Sequence, residues 1–142
     1  MSCTVYKVVA RLPISQERLE KVGQWVLNAE GRSGAAVSIH CVGEKRIRQL
    51  NRQWRGKDEV TDVLSFATSE GKILSDTKDY GDIFLCIPEL KRQARRFQMS
   101  ESEEMARMLI HGLLHLFGYD HTKKLDAKKM FAKQEKYLEH VI

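Results

Sequence analysis

Three histidines stand close together in the run His111-Gly-Leu-Leu-His115-Leu-Phe-Gly118-Tyr-Asp-His121. His111 and His115 are four residues apart. On a helix that spacing turns the chain about 400°, so the two imidazoles fall on one face, one turn apart. A tetrahedral metal can bridge such a pair. Gly118 supplies the left-handed residue that ends a helix and turns the chain back. The reversal can bring His121 to the same point as a third ligand. Three protein nitrogens leave one coordination position open, as in a catalytic site. His40, inside an apolar run, and His140, near the end of the sequence, lack this context and are read as structural.

The spacing is also that of the metzincin peptidases. Those carry a glutamate after the first histidine as general base. Here that position is Gly112, which cannot abstract a proton. Gly112 is expected instead to allow close packing of the helix on a sheet. A site of three neutral imidazoles keeps the charge of its metal, about +2, and so suits an anionic phosphodiester. Such a site polarises a phosphoryl oxygen and generates hydroxide near neutral pH.

Charge elsewhere permits an anionic partner. The 142 residues carry 24 Lys and Arg against 19 Asp and Glu, a formal net charge of +5. Basic residues gather at Lys45–Lys57, at Lys91–Arg96 and at Lys123–Lys129. Each cluster reads either as the solvated face of a helix or as a set of phosphate contacts. Arg52, Lys57, Arg92, Arg95 and Arg96 are the candidate substrate-binding cations. Arg55 follows the apolar face of a helix and precedes Gly56. Its guanidinium either forks onto phosphate oxygens or neutralises a helix C-terminus. Aromatic residues are only 8% of the chain, so base-stacking platforms are not obvious.

The remaining sequence must position these groups. Thr4–Ala10, Ala35–Val42, Asp62–Thr68 and Gly81–Ile87 read as strands. Ser15–Ala29 reads as a helix with Ser15 as N-cap and an Ile14–Leu19 staple. Glu44–Trp54 is a second helix. Pro88 suits the first turn of a third, Pro88–Phe97. Ser100 and Glu103 form a capping box opening a fourth helix to about Phe117. A fifth runs from about Leu125 to Glu139, and Glu70–Tyr80 reads as a loop. The expected fold is α+β: a small mixed sheet of about four strands packed with about five helices, with the metal site at the end of a core helix. One domain over 1–142 is expected. Three widely spaced cysteines, Cys3, Cys41 and Cys86, argue against a disulfide framework. Cys41 and Cys86 read as buried small hydrophobes. No apolar run approaches a membrane span, and the N-terminus lacks a secretory pattern. A cytoplasmic protein without a membrane partner is expected.

The histidine run resembles the signature of the YbeY family, bacterial metal-dependent endoribonucleases that mature ribosomal RNA. Asn51-Arg-Gln-Trp-Arg55, Thr61-Asp-Val-Leu-Ser-Phe66 and Gly81-Asp82-Ile83 resemble further family segments in the same order, as do Met130 and Gln134-Glu135. Val60 and Ala67 stand where the family often has proline. The resemblance covers roughly residues 35–138. It implies one zinc per chain on His111, His115 and His121, with catalytic roles for Arg55 and His111. It implies single-strand-directed cleavage of precursor ribosomal RNA, 16S 3′-end processing and ribosome quality control, with the ribosomal particle or its associated proteins as partners. Hydrolysis and attack by the RNA 2′-hydroxyl both stay open. The competing readings are a metallohydrolase of another substrate, such as a peptide, and a non-catalytic zinc-containing ribosome-associated factor. Asp82 and Asp120 are each candidates for orienting a ligand histidine.

Overall fold

The computed structural model describes residues 3–67, 79–120 and 122–142. Its elements run β1 (Cys3–Lys7), α1 (Gln16–Ala29), β2 (Ala36–Val42), α2 (Glu44–Arg55), β3 (Val63–Ala67), β4 (Asp79–Cys86), α3 (Ile87–Arg96), α4 (Glu101–Leu116) and α5 (Lys124–Val141). The sheet order is β1-β2-β4-β3. β1 pairs parallel with β2 and β2 parallel with β4, while β3 closes one edge antiparallel to β4. This is the mixed four-stranded α+β architecture expected from the sequence. Most of the expected loop over Glu70–Tyr80 lies outside the described residues; Asp79 and Tyr80 open β4.

Local signals place the helix ends. The Ser15 hydroxyl accepts from the Arg18 N–H at 3.2 Å, and Ile14 and Leu19 are both buried beside it. The Ser100 hydroxyl accepts from the Glu103 N–H at 3.0 Å. Pro88 occupies the first turn of α3, where its missing N–H costs nothing. Gly56, at φ 72°, closes α2. Among the described residues no helix is long and apolar enough to cross a membrane. Cys3, Cys41 and Cys86 are free and buried. Burial pushes the thiols of Cys3 and Cys41 up to about 12, so they pack as apolar groups.

Strand alternation divides the apolar residues between two sheet faces. Val5, Val37, Ile39, Ile83 and Leu85 join Leu19, Val26, Leu109, Ile110 and Leu113 in one core beneath α1 and α4. Leu64 and Phe66 point to the other face, where Ile47 and Leu50 of α2 cover them. α4 is buried around most of its circumference, through Met105, Ala106, Leu109, Ile110, Leu113 and Leu114. A helix so apolar belongs inside the protein.

Gly112 lies where α4 meets the sheet most closely. A Cβ there would stand 3.0 Å from Ile83 Cγ2, 3.1 Å from Ser65 Oγ and 3.3 Å from Val63 Cγ2. Two β-branched side chains and a hydroxyl leave little room to yield. Gly112→Ala therefore sets a gain in helix propensity of about 1 kcal/mol against an overpacking cost of about 1–3 kcal/mol. We expect a net loss of about 1 kcal/mol in urea denaturation. A stabilised variant would show that the contact is slack.

Candidate metal centre and active site

The helix that presents His111 and His115 is the buried α4. Their rings lie edge to face, with centroids 4.8 Å apart. Past His115 the chain reverses on Gly118, at φ 95°. The Gly118 N–H donates to the His115 carbonyl at 3.0 Å, and the Tyr119 N–H to the Leu114 carbonyl at 3.0 Å. This is the left-handed termination expected from the glycine. Asp120 serves the turn that follows: its carboxylate accepts from the Thr122 N–H at 3.1 Å and from the Thr122 hydroxyl at 2.9 Å. His121, the third expected ligand, lies outside the described residues. Among the described residues no group of three His, Cys, Asp or Glu forms a metal cluster.

His111 and His115 open onto a cavity of about 480 Å³ together with Arg55, Thr61, Asp62 and Ser65. Residues of α2, β3 and α4 thus converge, and Arg55 lines the same cavity as the two histidines. Arg55 is anchored. Its Nη2 donates to the Ser65 carbonyl at 2.7 Å and its Nη1 to the Trp54 carbonyl at 3.3 Å. Its guanidinium also lies 4.5 Å over the Phe66 ring, a favourable cation–π arrangement. Ser65 ties the two halves of the cavity, because its hydroxyl donates to the Gly112 carbonyl at 3.0 Å. Asp62 is engaged by the Val63 N–H at 2.8 Å and the Gln93 amide at 3.0 Å, which braces the entry of β3.

The donor set fits a metal with a preference for imidazole nitrogen. His111 Nδ1 lies 2.7 Å from Gln134 Oε1. With Nδ1 so engaged, Nε2 is the nitrogen through which His111 would coordinate.

Other expected site residues stand elsewhere. Arg92 bridges Glu44 at 2.6 Å and Glu89 at 2.7 Å, so its charge is matched within the protein. Arg52 lines a separate concavity with Arg48 and Asp58. Lys57, Arg95 and Arg96 are exposed and do not line the histidine cavity. Asp82, a candidate for orienting a ligand histidine, pairs with His40 Nε2 at 2.9 Å. His40 is stacked between Tyr6 and Phe84, and His140 stacks on Trp25. An exposed aromatic, Phe131, lies beside the centre, its ring 6.2 Å from His111 and nearly parallel to it. Residue type and spacing do not mark it, because helix α5 meets α4 only in three dimensions.

The family model described as Endoribonuclease YbeY matches residues 7–142. The chain belongs to the YbeY family. A curated Endoribonuclease YbeY from Sulfurihydrogenibium sp. is 38% identical over 133 residues, covering 93% of this chain and 87% of that protein. One from Geobacillus thermodenitrificans is 40% identical over 136 residues, covering 88% and 87%. One from Anaeromyxobacter sp. is 46% identical over 112 residues, covering 76% of this chain and 55% of that protein. The chain thus spans about half the length of that relative and most of the other two. The solution structure of TM1509 from Thermotoga maritima is similar with a TM-score of 0.69 and 33% identity, over 98% of this chain and 88% of that one.

A polar cluster braces the turn after α4 from behind. Lys133 Nζ donates to the Tyr119 hydroxyl at 2.6 Å and pairs with Glu30 at 3.0 Å. The Tyr137 hydroxyl also donates to Glu30, whose side chain is 6% exposed. Burial alone would raise the Glu30 carboxyl; hydrogen bonds from Tyr137 and Lys133 outweigh it, and the net shift is downward. A depressed carboxyl stabilises the fold above its unfolded-state pKa and loses that contribution as pH falls through the folded value. Glu30→Gln should therefore cost about 1–3 kcal/mol near pH 7. Denaturation across a pH series should show the gap to wild type closing below about pH 4. A gap independent of pH would remove the charge from this account.

Proposed function

We propose that the chain is a zinc-dependent, single-strand-directed endoribonuclease that matures precursor ribosomal RNA. Membership of a family of endoribonucleases supports the reaction class. The observation that carries the rest is one cavity shared by His111, His115 and Arg55, with a glycine at the position where a peptidase would hold its base. The whole chain works as one domain in this reading.

His111, His115 and His121 hold the metal. Bound there, zinc supplies a Lewis acid for a phosphoryl oxygen and ionises water near neutral pH. Arg55 binds the phosphate. Two of its donors are committed to backbone carbonyls and its planar face lies on Phe66. The guanidinium is therefore positioned before substrate arrives, and it meets developing negative charge without reorganisation. A lysine would bring charge to the same place without the bidentate fork. Gly112 presses α4 onto the sheet and keeps the imidazoles at a fixed depth in the cavity. Arg52, Lys57, Arg95 and Arg96 add phosphate contacts outside the cavity, with the charge of Arg92 already matched by Glu44 and Glu89. Placement on RNA comes from the ribosomal particle or its associated proteins, in the cytoplasm, and serves ribosome quality control as well as 16S 3′-end processing.

Metal removal and substitution both test the centre. Chelation should abolish cleavage of a labelled single-stranded RNA and added zinc should restore it. His111→Ala, His115→Ala and His121→Ala should each lower bound zinc in elemental analysis; full occupancy in all three would overturn the site. Arg55→Ala should keep its zinc and lose about 10²–10³-fold in cleavage rate, with Arg55→Lys recovering only part. Undiminished cleavage by Arg55→Ala would leave Arg55 as a helix-end cation. Cutting of an unstructured peptide, lost in His115→Ala, would establish the peptidase reading instead.

A further inference from the structure

We propose that Gln134 is a positioning residue that dictates which ring nitrogen of His111 carries the proton. The inference rests on the reading of His111 as a metal ligand, and it follows from donor and acceptor accounting. Gln134 is buried, 4% exposed, so bulk water does not set the direction of its amide. That amide meets two groups. On one side Glu135 Oε2 lies 3.1 Å from Nε2; on the other, His111 Nδ1 lies 2.7 Å from Oε1. Which end of an amide is nitrogen must be settled by the partners.

Glu135 settles it. Arg107 grips this carboxylate through both oxygens, Nε to Oε2 at 2.9 Å and Nη2 to Oε1 at 3.2 Å. Arg107 is itself held by Glu104 at 2.8 Å, with only 14% of its side chain exposed. A carboxylate gripped by a guanidinium is ionised and only accepts. The end of Gln134 facing it must be the NH₂, so the carbonyl oxygen faces His111. A carbonyl oxygen also only accepts. His111 Nδ1 must then carry the hydrogen, and the imidazole lone pair resides on Nε2. A neutral imidazole in water favours the opposite tautomer. The relay Glu104–Arg107–Glu135–Gln134 therefore holds His111 ready to coordinate through Nε2, with no tautomer shift on metal binding. An orienting partner of this kind contributes about 10–100-fold to metal affinity.

Nitrogen NMR of the metal-free full chain tests this directly, at a pH well above the ordinary histidine value of about 6.5. Wild-type His111 should show a protonated Nδ1 and a bare Nε2. Gln134→Met keeps the length of the side chain and removes the acceptor. It should shift His111 toward protonated Nε2 and weaken zinc binding about 10–100-fold in a chelator competition. Gln134→Glu keeps an acceptor and should keep the Nδ1–H tautomer. A wild-type His111 protonated on Nε2 would overturn the proposal whatever the variants do. So would a Gln134→Met protein with unchanged tautomer. His111→Ala separates the two readings: unchanged zinc affinity there refutes the site, whereas lost affinity there with none lost in Gln134→Met refutes the relay alone.

Discussion

Ser65 is the joint on which the centre depends. Its carbonyl accepts from Arg55 at 2.7 Å, and its hydroxyl donates to the Gly112 carbonyl at 3.0 Å. One strand residue thus sets the arginine of α2 and the histidine helix α4 in a fixed relation. Both bonds need β3 at the sheet edge beside β4, and β3 needs α2 packed over Leu64 and Phe66. Displace the strand by one residue and every side chain changes face. Ser65 would then turn from α4, and Phe66 would leave the guanidinium.

The same constraint explains the helix chemistry. A histidine pair one turn apart on a helix is shared with peptidases, whose glutamate follows the first histidine. In this chain that position faces Ile83, Ser65 and Val63 at contact distance. A carboxylate there has nowhere to go without parting α4 from the sheet. The glycine removes the base and deepens the seat of the imidazoles in a single substitution. Negative charge is thereby kept from that position, which favours an anionic substrate. Among the described residues, the carboxylate lining the cavity is that of Asp62, and it is occupied by a backbone N–H and a glutamine amide.

Much of this was legible from residue type and spacing, because it is local. Ser15, Ser100, Pro88, Gly56 and Gly118 act within a turn of where they stand, and each marks the helix end it was expected to mark. The pairing of His111 with His115 is a property of one helix. What escaped depends on separations of many residues. The Asp82 carboxylate reaches His40 because β2 and β4 are neighbours, a consequence of crossover order that no window of sequence contains. Arg92 reads as a free cation until Glu44 is found across from it, forty-eight positions away. Gln134 carries a resemblance in sequence, but its reason is visible only when α5 lies against α4.

That last contact shows why the buried ionic groups persist. Glu104 and Arg107 sit on the helix that otherwise reads as pure core, and burying ions among leucines opposes folding. Burial raises the Glu104 carboxyl, with Arg107 pulling against it. Replacing the set with apolar side chains of equal volume would remove that penalty, so stability alone does not account for it. Direction does. Hydrogen bonds between ions and amides have polarity, and apolar packing has none. A chain of groups that only accept or only donate fixes the end of it at His111 Nδ1. The fold accepts a costly interior so that one proton has one place.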